Sequence, residues 1–195
     1  MASLSTTTQH ETSDTASFVN ILTERSLKVF EKFNNLDLAL LTKNTLISEI
    51  IKLQATRGRL YKAWETSLRR YIRARDTAST TTETNDINDD LDCALSDYYQ
   101  LTQEMIGAFS QVSTEINRIS ICIQKREHLD VYQSILEIQK LEQEKLHLIV
   151  TRHQTLRDGN GFDESEERLS ELVEEVRDSE NELKAQKAAE EDSEP

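Results

Sequence analysis

LDCALSDYYQLTQEMIGAFSQVSTEINRISICI, residues 91–123, places Leu91, Leu95, Tyr98, Met105, Phe109, Val112, Ile116, Ile119 and Ile123 in alternating steps of four and three, with Thr102 as the polar member. Steps of this kind return each side chain to one stripe of an α-helix, and a stripe sustained over more than four heptads needs a partner helix to cover it. Lys125 and Arg126 follow, where cations suit the negative end of a helix macrodipole. Asp130 and Gln133 then have the spacing of a capping box that restarts the chain as another helix. Ile135, Ile138, Leu141, Leu148 and Ile149 form its inner stripe to about Arg157, and so short a connection makes the two helices antiparallel neighbours.

Upstream, a helix over 42–76 carries Leu46, Ile50, Leu53, Leu60, Trp64, Leu68 and Tyr71 at the same spacing, with Arg57 in one core slot. The segment 77–90, TASTTTETNDINDD, reads as a flexible linker. Phe18, Ile21, Leu22, Val29, Phe30 and Phe33 suggest a short helix over 17–33, with its connection reaching 41, and residues 1–16 read as disordered. Beyond 158, Gly159 or Gly161 stops one helix, and Asp163 with Glu166 caps an acidic last one over about 164–189. Residues 163–195 hold 14 acids and 4 bases, and their stripe thins to Leu169, Leu172, Val173, Val176 and Leu183, so this helix is expected to close the bundle loosely or leave it.

One Pro and four Gly in 195 residues agree with long helices. The expected fold is all-α: an elongated, coiled-coil-like antiparallel bundle with its core in 42–157, a disordered N-terminus and an acidic C-terminal helix over 158–195. No apolar run approaches the roughly 18–20 residues that span a bilayer, and the N-terminus lacks signal-peptide character. The chain is therefore expected to be intracellular and soluble, with no membrane partner. Cys93 and Cys122 stand about 43 Å apart on one helix, beyond disulfide reach, and are expected to be buried or half-buried thiols.

No enzyme class finds an address. Asp158 and Asn160 open a calcium-loop pattern, but Asp163 and Leu169 stand where it needs Gly and Glu. Glu144 and His147 make one Glu-x-x-His pair where a di-iron bundle uses two. His147 and His153, six apart, lie about 240° apart on a helix and cannot share a ligand. Neither thiol has a nucleophile–base setting, and phosphate-binding glycine loops are absent. No catalytic residue, metal or cofactor is expected.

RGRLYKAWETSLRRYIRARD, residues 57–76, carries seven bases in a chain of net charge −13. At 100° per residue Tyr61, Trp64 and Tyr71 fall in the apolar arc, opposite Lys52, Arg59, Lys62, Arg69, Arg70 and Arg73. The aromatics are core, not platforms for stacked bases. The six cations remain as a stripe about 30 Å long, able to face solvent, an acidic protein segment or a phosphate backbone. Arg57 and Arg75 point into the apolar arc and are expected to pair with acids of a neighbouring helix.

LISEIIKLQATRGRLYKAWETSLRRYI (46–72), YYQLTQEMIGAFSQVSTEINRISICI (98–123) and ILEIQKLEQEKLHLIVTRHQTLRD (135–158), in this order and with the polar gap after the first, resemble the Required for Excision 1-B domain family. The resemblance covers about residues 46–157. It implies a contribution to DNA excision repair, repair factors as partners, a nuclear location and no enzymatic activity. The function expected is a non-catalytic helical adaptor docking a protein partner, or nucleic acid weakly and without sequence preference, through the six-cation face. A coiled-coil scaffold of a cytoskeletal or ciliary assembly is the alternative, and self-association is left open.

Overall fold

The Thr42 hydroxyl accepts the Thr45 N–H at 3.2 Å and caps the first long helix of the structure, a computed structural model that describes residues 37–80, 85–159 and 165–191. A single 3₁₀ turn, Leu38–Leu40, precedes α1 (Lys43–Thr80); α2 (Asn85–Lys125), α3 (Leu129–Arg157) and α4 (Ser165–Glu191) complete the described chain. The helix expected over 17–33, the disordered 1–16, Gly161 and Asp163 lie outside the described residues.

The helices run up, down, up and down. Arg57 of α1 reaches Ser113 of α2 while Arg70 reaches Asp97, so these two are antiparallel. Glu144 of α3 meets Arg168 of α4 while Ser134 meets Gln186, so these are antiparallel too. The seams follow the heptads: Leu46, Ile50, Leu53, Leu60, Trp64, Leu68 and Tyr71 are buried on α1, and Tyr98, Met105, Phe109, Val112, Ile116, Ile119 and Ile123 on α2. Ile47 and Leu101 join them because a bundle core touches more than one helix flank. Val131, Ile135 and Ile138 bring α3 into the same cluster, whereas Leu148 and Ile149 are half-buried. Among the described residues no helix is long and apolar enough to cross a membrane.

Several features differ from expectation. The linker drawn at 77–90 is helix through Thr80 and again from Asn85. In the first part Thr77 donates to the Arg73 carbonyl and Thr80 to the Asp76 carbonyl, so these hydroxyls are used within the helix rather than in a competing turn. Asp130 is not the cap of α3. It sits in the first turn behind His128, whose side chain makes no capping bond, and acts through the helix dipole. Helix α4 is also firmly seated: Leu172 and Val176 bury against Leu141 and Leu148, and Leu183 enters the main core. Cys93 is exposed, because Ala94 rather than its neighbour takes the inward position, while Cys122 is half-buried; both are free.

The reversal between α2 and α3 is a Schellman turn. The His128 N–H bonds the Ile123 carbonyl, the Glu127 N–H bonds the Gln124 carbonyl, and Glu127 sits at φ 63°. A side chain in that left-handed region costs energy that glycine avoids. Glu127→Gly is therefore expected to stabilise the protein by about 1 kcal/mol, read as a raised urea midpoint at unchanged slope. A lowered midpoint would show that the Glu127 side chain holds something the backbone account omits.

Candidate functional site

The six-cation face exists, and it is less bare than its spacing implies. Lys52 binds Glu49 at 2.6 Å, Arg69 binds Glu65 at 3.0 Å, and Arg70 reaches across to Asp97 of α2 at 3.0 Å. The guanidinium of Arg59 donates to Thr56 Oγ1 at 2.8 Å. Lys62 and Arg73 are exposed and meet no carboxylate among the described residues. Glu49 and Glu65 stand on α1 just outside the basic arc, so counting acids inside the arc missed them. The tyrosines and tryptophan of α1 are turned inward as expected, with Trp64 2% exposed.

Among the described residues, Arg57 and Arg75 do not ion-pair with acids of neighbouring helices. Arg57 is buried and is held by neutral acceptors: Gln54 Oε1 at 3.1 Å, Gln139 Oε1 at 2.9 Å and Ser113 Oγ at 2.9 Å. Burial lowers its pKa from the usual guanidinium value, against the more distant charges of Glu142 and Glu180. Amides and a hydroxyl accept three of its five N–H groups without a second desolvated ion. Arg75 donates to the carbonyls of Leu156 and Arg157 at 2.7 and 3.1 Å. It thus caps the negative end of α3, and among the described residues its carboxylate contact is its own neighbour Asp76. Gly159, at φ 76°, ends α3 beside it, as the expected stop required.

A polar node beside this contact joins α1, α2 and α3. Glu65 Oε2 accepts from Arg152 Nη1 at 2.7 Å and lies 3.4 Å from His153 Nε2, too poorly aligned for a formed hydrogen bond. His153 Nδ1 is 3.2 Å from the Tyr98 hydroxyl, and the ring packs on Trp64 at 4.4 Å between centroids. Trp64 Nε1 donates to Thr102 Oγ1 at 3.0 Å, which accounts for the polar residue in the α2 seam. Carboxylate, imidazole and phenol stand in series here, with His153 and Tyr98 2% and 5% exposed. The node was missed because His153 looks like an isolated histidine in sequence. Its signal was register: Ile138, Glu142, Lys145 and Ile149 lead to it in steps of three and four. His147, by contrast, is exposed, and Glu144 is engaged by Arg168 at 2.9 Å. Among the described residues no group of three or more His, Cys, Asp or Glu could hold a metal ion.

These features define an α-helical bundle with a cationic outer face and a largely buried polar node. A family profile, DNA repair REX1-B, matches residues 45–157, which are α1 to α3 almost end to end. The chain belongs to this DNA repair family. Neither a curated protein nor a solved structure matches it.

Proposed function

We propose that the protein is a non-catalytic helical adaptor in DNA excision repair, acting in the nucleus and docking a repair factor or nucleic acid through the α1 face. Membership of the DNA repair family over the whole of α1–α3 carries this reading. The face formed by Lys52, Arg59, Lys62, Arg69, Arg70 and Arg73 supports the docking mode, since it puts cations outward along one long helix of an acidic chain. The test is deletion of the gene followed by exposure to agents whose lesions are removed by excision. Sensitivity rescued by the wild-type chain, but not by Lys62→Glu/Arg73→Glu, supports the proposal; unaltered survival overturns it.

If DNA is the ligand, the ion pairs limit the salt dependence. Three of the six cations already neutralise carboxylates, leaving Arg59, Lys62 and Arg73 to displace counterions. At roughly 0.7–0.9 per contact, the log–log salt slope is expected near −2 to −3 rather than the −4 to −5 of six free cations. Titration of labelled single-stranded and duplex DNA at several salt concentrations reads it. A protein that binds neither at low salt has no direct DNA contact, and the face then serves a protein.

A further inference from the structure

The basic face is tied to α4 by a line of four charges. Arg69 Nε donates to Glu65 Oε1 at 3.0 Å, and Arg152 Nη1 of α3 donates to Glu65 Oε2 at 2.7 Å. On its other side Arg152 Nη2 stands 3.8 Å from Glu166 Oε1, in the first turn of α4. Arg69, Glu65, Arg152 and Glu166 thus alternate in sign from the outer face of α1, across α3, to the start of α4. Lys52 and Arg70 are placed differently. Among the described residues their partners, Glu49 and Asp97, make no ion pair with a further cation.

Both carboxylates of the line act on an anion brought to Arg69. Glu65 opposes it twice, by occupying the Nε–H of Arg69 and by placing a like charge beside the incoming group. How strongly it does so depends on its neutralisation by Arg152, which is 15% exposed and therefore weakly screened by salt. Glu166 draws on the same guanidinium through the other amino group. It is kept in place because Leu172 and Val176, just beyond it, bury against Leu141 and Leu148 and hold the start of α4 on α3. The family match stops at residue 157, so this carboxylate comes from outside the matched segment.

We propose that α4 restrains the α1 face through this line: Glu166 draws on Arg152, Glu65 is left with more of its charge, and Arg69 is withheld from an anionic ligand. The restraint rests on the reading of the α1 face as the docking surface and adds what governs it. Two states of one contact carry the coupling, Arg69 closed on Glu65 or turned to the ligand, and both α4 and the ligand bias that equilibrium. Linkage makes the effect reciprocal. A ligand that takes Arg69 frees Glu65 for Arg152 and loosens the hold on Glu166.

Labelled single-stranded DNA titrated against the full-length chain at low salt tests the coupling. Glu166→Gln should tighten binding by roughly threefold, toward the low end of couplings inside one ion-pair network. Glu182→Gln removes the same charge from an exposed position about 24 Å further along α4 and should change affinity far less. In a Glu65→Gln protein the further change Glu166→Gln should have no effect, because the middle of the line is gone. Circular dichroism at the assay temperature checks that each variant is folded. A second reading needs no ligand: the Arg69 Nε–H, followed by heteronuclear NMR of the free protein, should exchange with water faster in Glu166→Gln than in wild type. Equal tightening by Glu166→Gln and Glu182→Gln, additive effects of Glu65→Gln and Glu166→Gln, or an Arg69 signal indifferent to Glu166→Gln would overturn the proposal. DNA that binds no variant while the Arg69 signal responds would support the coupling and remove nucleic acid as the ligand of the face.

Discussion

Replacing Trp64 by alanine is expected to lower the unfolding free energy by about 3–5 kcal/mol, the range for removing a large buried aromatic. Trp64 is almost fully enclosed and touches three neighbours of different chemistry. Phe109 lies 6.2 Å from it between ring centroids, His153 lies 4.4 Å away, and Thr102 accepts its indole N–H. Alanine would leave a cavity at the junction of α1, α2 and α3, bordered by a histidine deprived of its packing. Trp64→Phe separates the contributions. It keeps most of the volume and loses the indole hydrogen bond, so its cost should be nearer 1 kcal/mol. Thr102 tolerates that loss because its own hydroxyl still donates to the Tyr98 carbonyl. Urea unfolding followed by far-ultraviolet circular dichroism measures both variants. A Trp64→Ala midpoint close to wild type would mean that the side chain is not enclosed in solution.

The inward position of Trp64 was legible because α1 keeps one period from Leu46 to Tyr71, and a constant period leaves one phase open. The α2 seam was legible for the same reason. Periodicity says less about where a helix ends, since the end depends on local bonds. Thr and Ser suggest a linker by composition, yet α1 runs through Thr80, and Thr77 and Thr80 turn their hydroxyls onto its preceding turn. The α2–α3 reversal likewise rests on a backbone state of Glu127 that glutamate seldom adopts, so no residue type announced it.

Ionic partners were the least legible feature. A helical wheel places Arg57 and Arg75 inward correctly but shows only one helix, and a carboxylate seemed necessary for each. Gln139 and Ser113 serve Arg57 from two other helices, and the carbonyl end of α3 serves Arg75. Amides, hydroxyls and backbone carry no sequence signal as acceptors of charge. The basic face suffered from the opposite omission. Its six residues were identified by register, while Glu49, Glu65 and Asp97, which engage three of them, lie off the arc or on another helix.

Glu65→Gln is expected to destabilise the protein at neutral pH by an amount that shrinks as the solution is acidified. The Glu65 pKa is lowered from 4.5 to about 2. The nearby His153 ring is the largest cause; burial opposes it, and Arg69 and Arg152 reinforce it. Because the folded value lies below the unfolded one, the native state holds the proton more weakly. The stabilisation is thus complete above about pH 4.5 and disappears as pH falls through about 2. At about 1.4 kcal/mol for each pH unit of displacement the unscreened contribution is about 3 kcal/mol. The carboxylate is 25% exposed, and screening there brings the expected value nearer to about 2 kcal/mol. Other carboxylates titrate in the same interval, so the useful quantity is the difference between wild type and Glu65→Gln, taken from urea curves at pH 6, 4, 3 and 2. That difference should be near its full value at pH 6, smaller at pH 3 and close to zero at pH 2. Arg152→Met supplies a second reading from the other side of the contact. It removes one of the cations holding the carboxylate, so the decline should begin at a higher pH than in wild type. A difference that stays constant from pH 6 to pH 2 would mean that Glu65 titrates as it does in the unfolded chain, and that the three-helix node is packed without being electrostatically coupled.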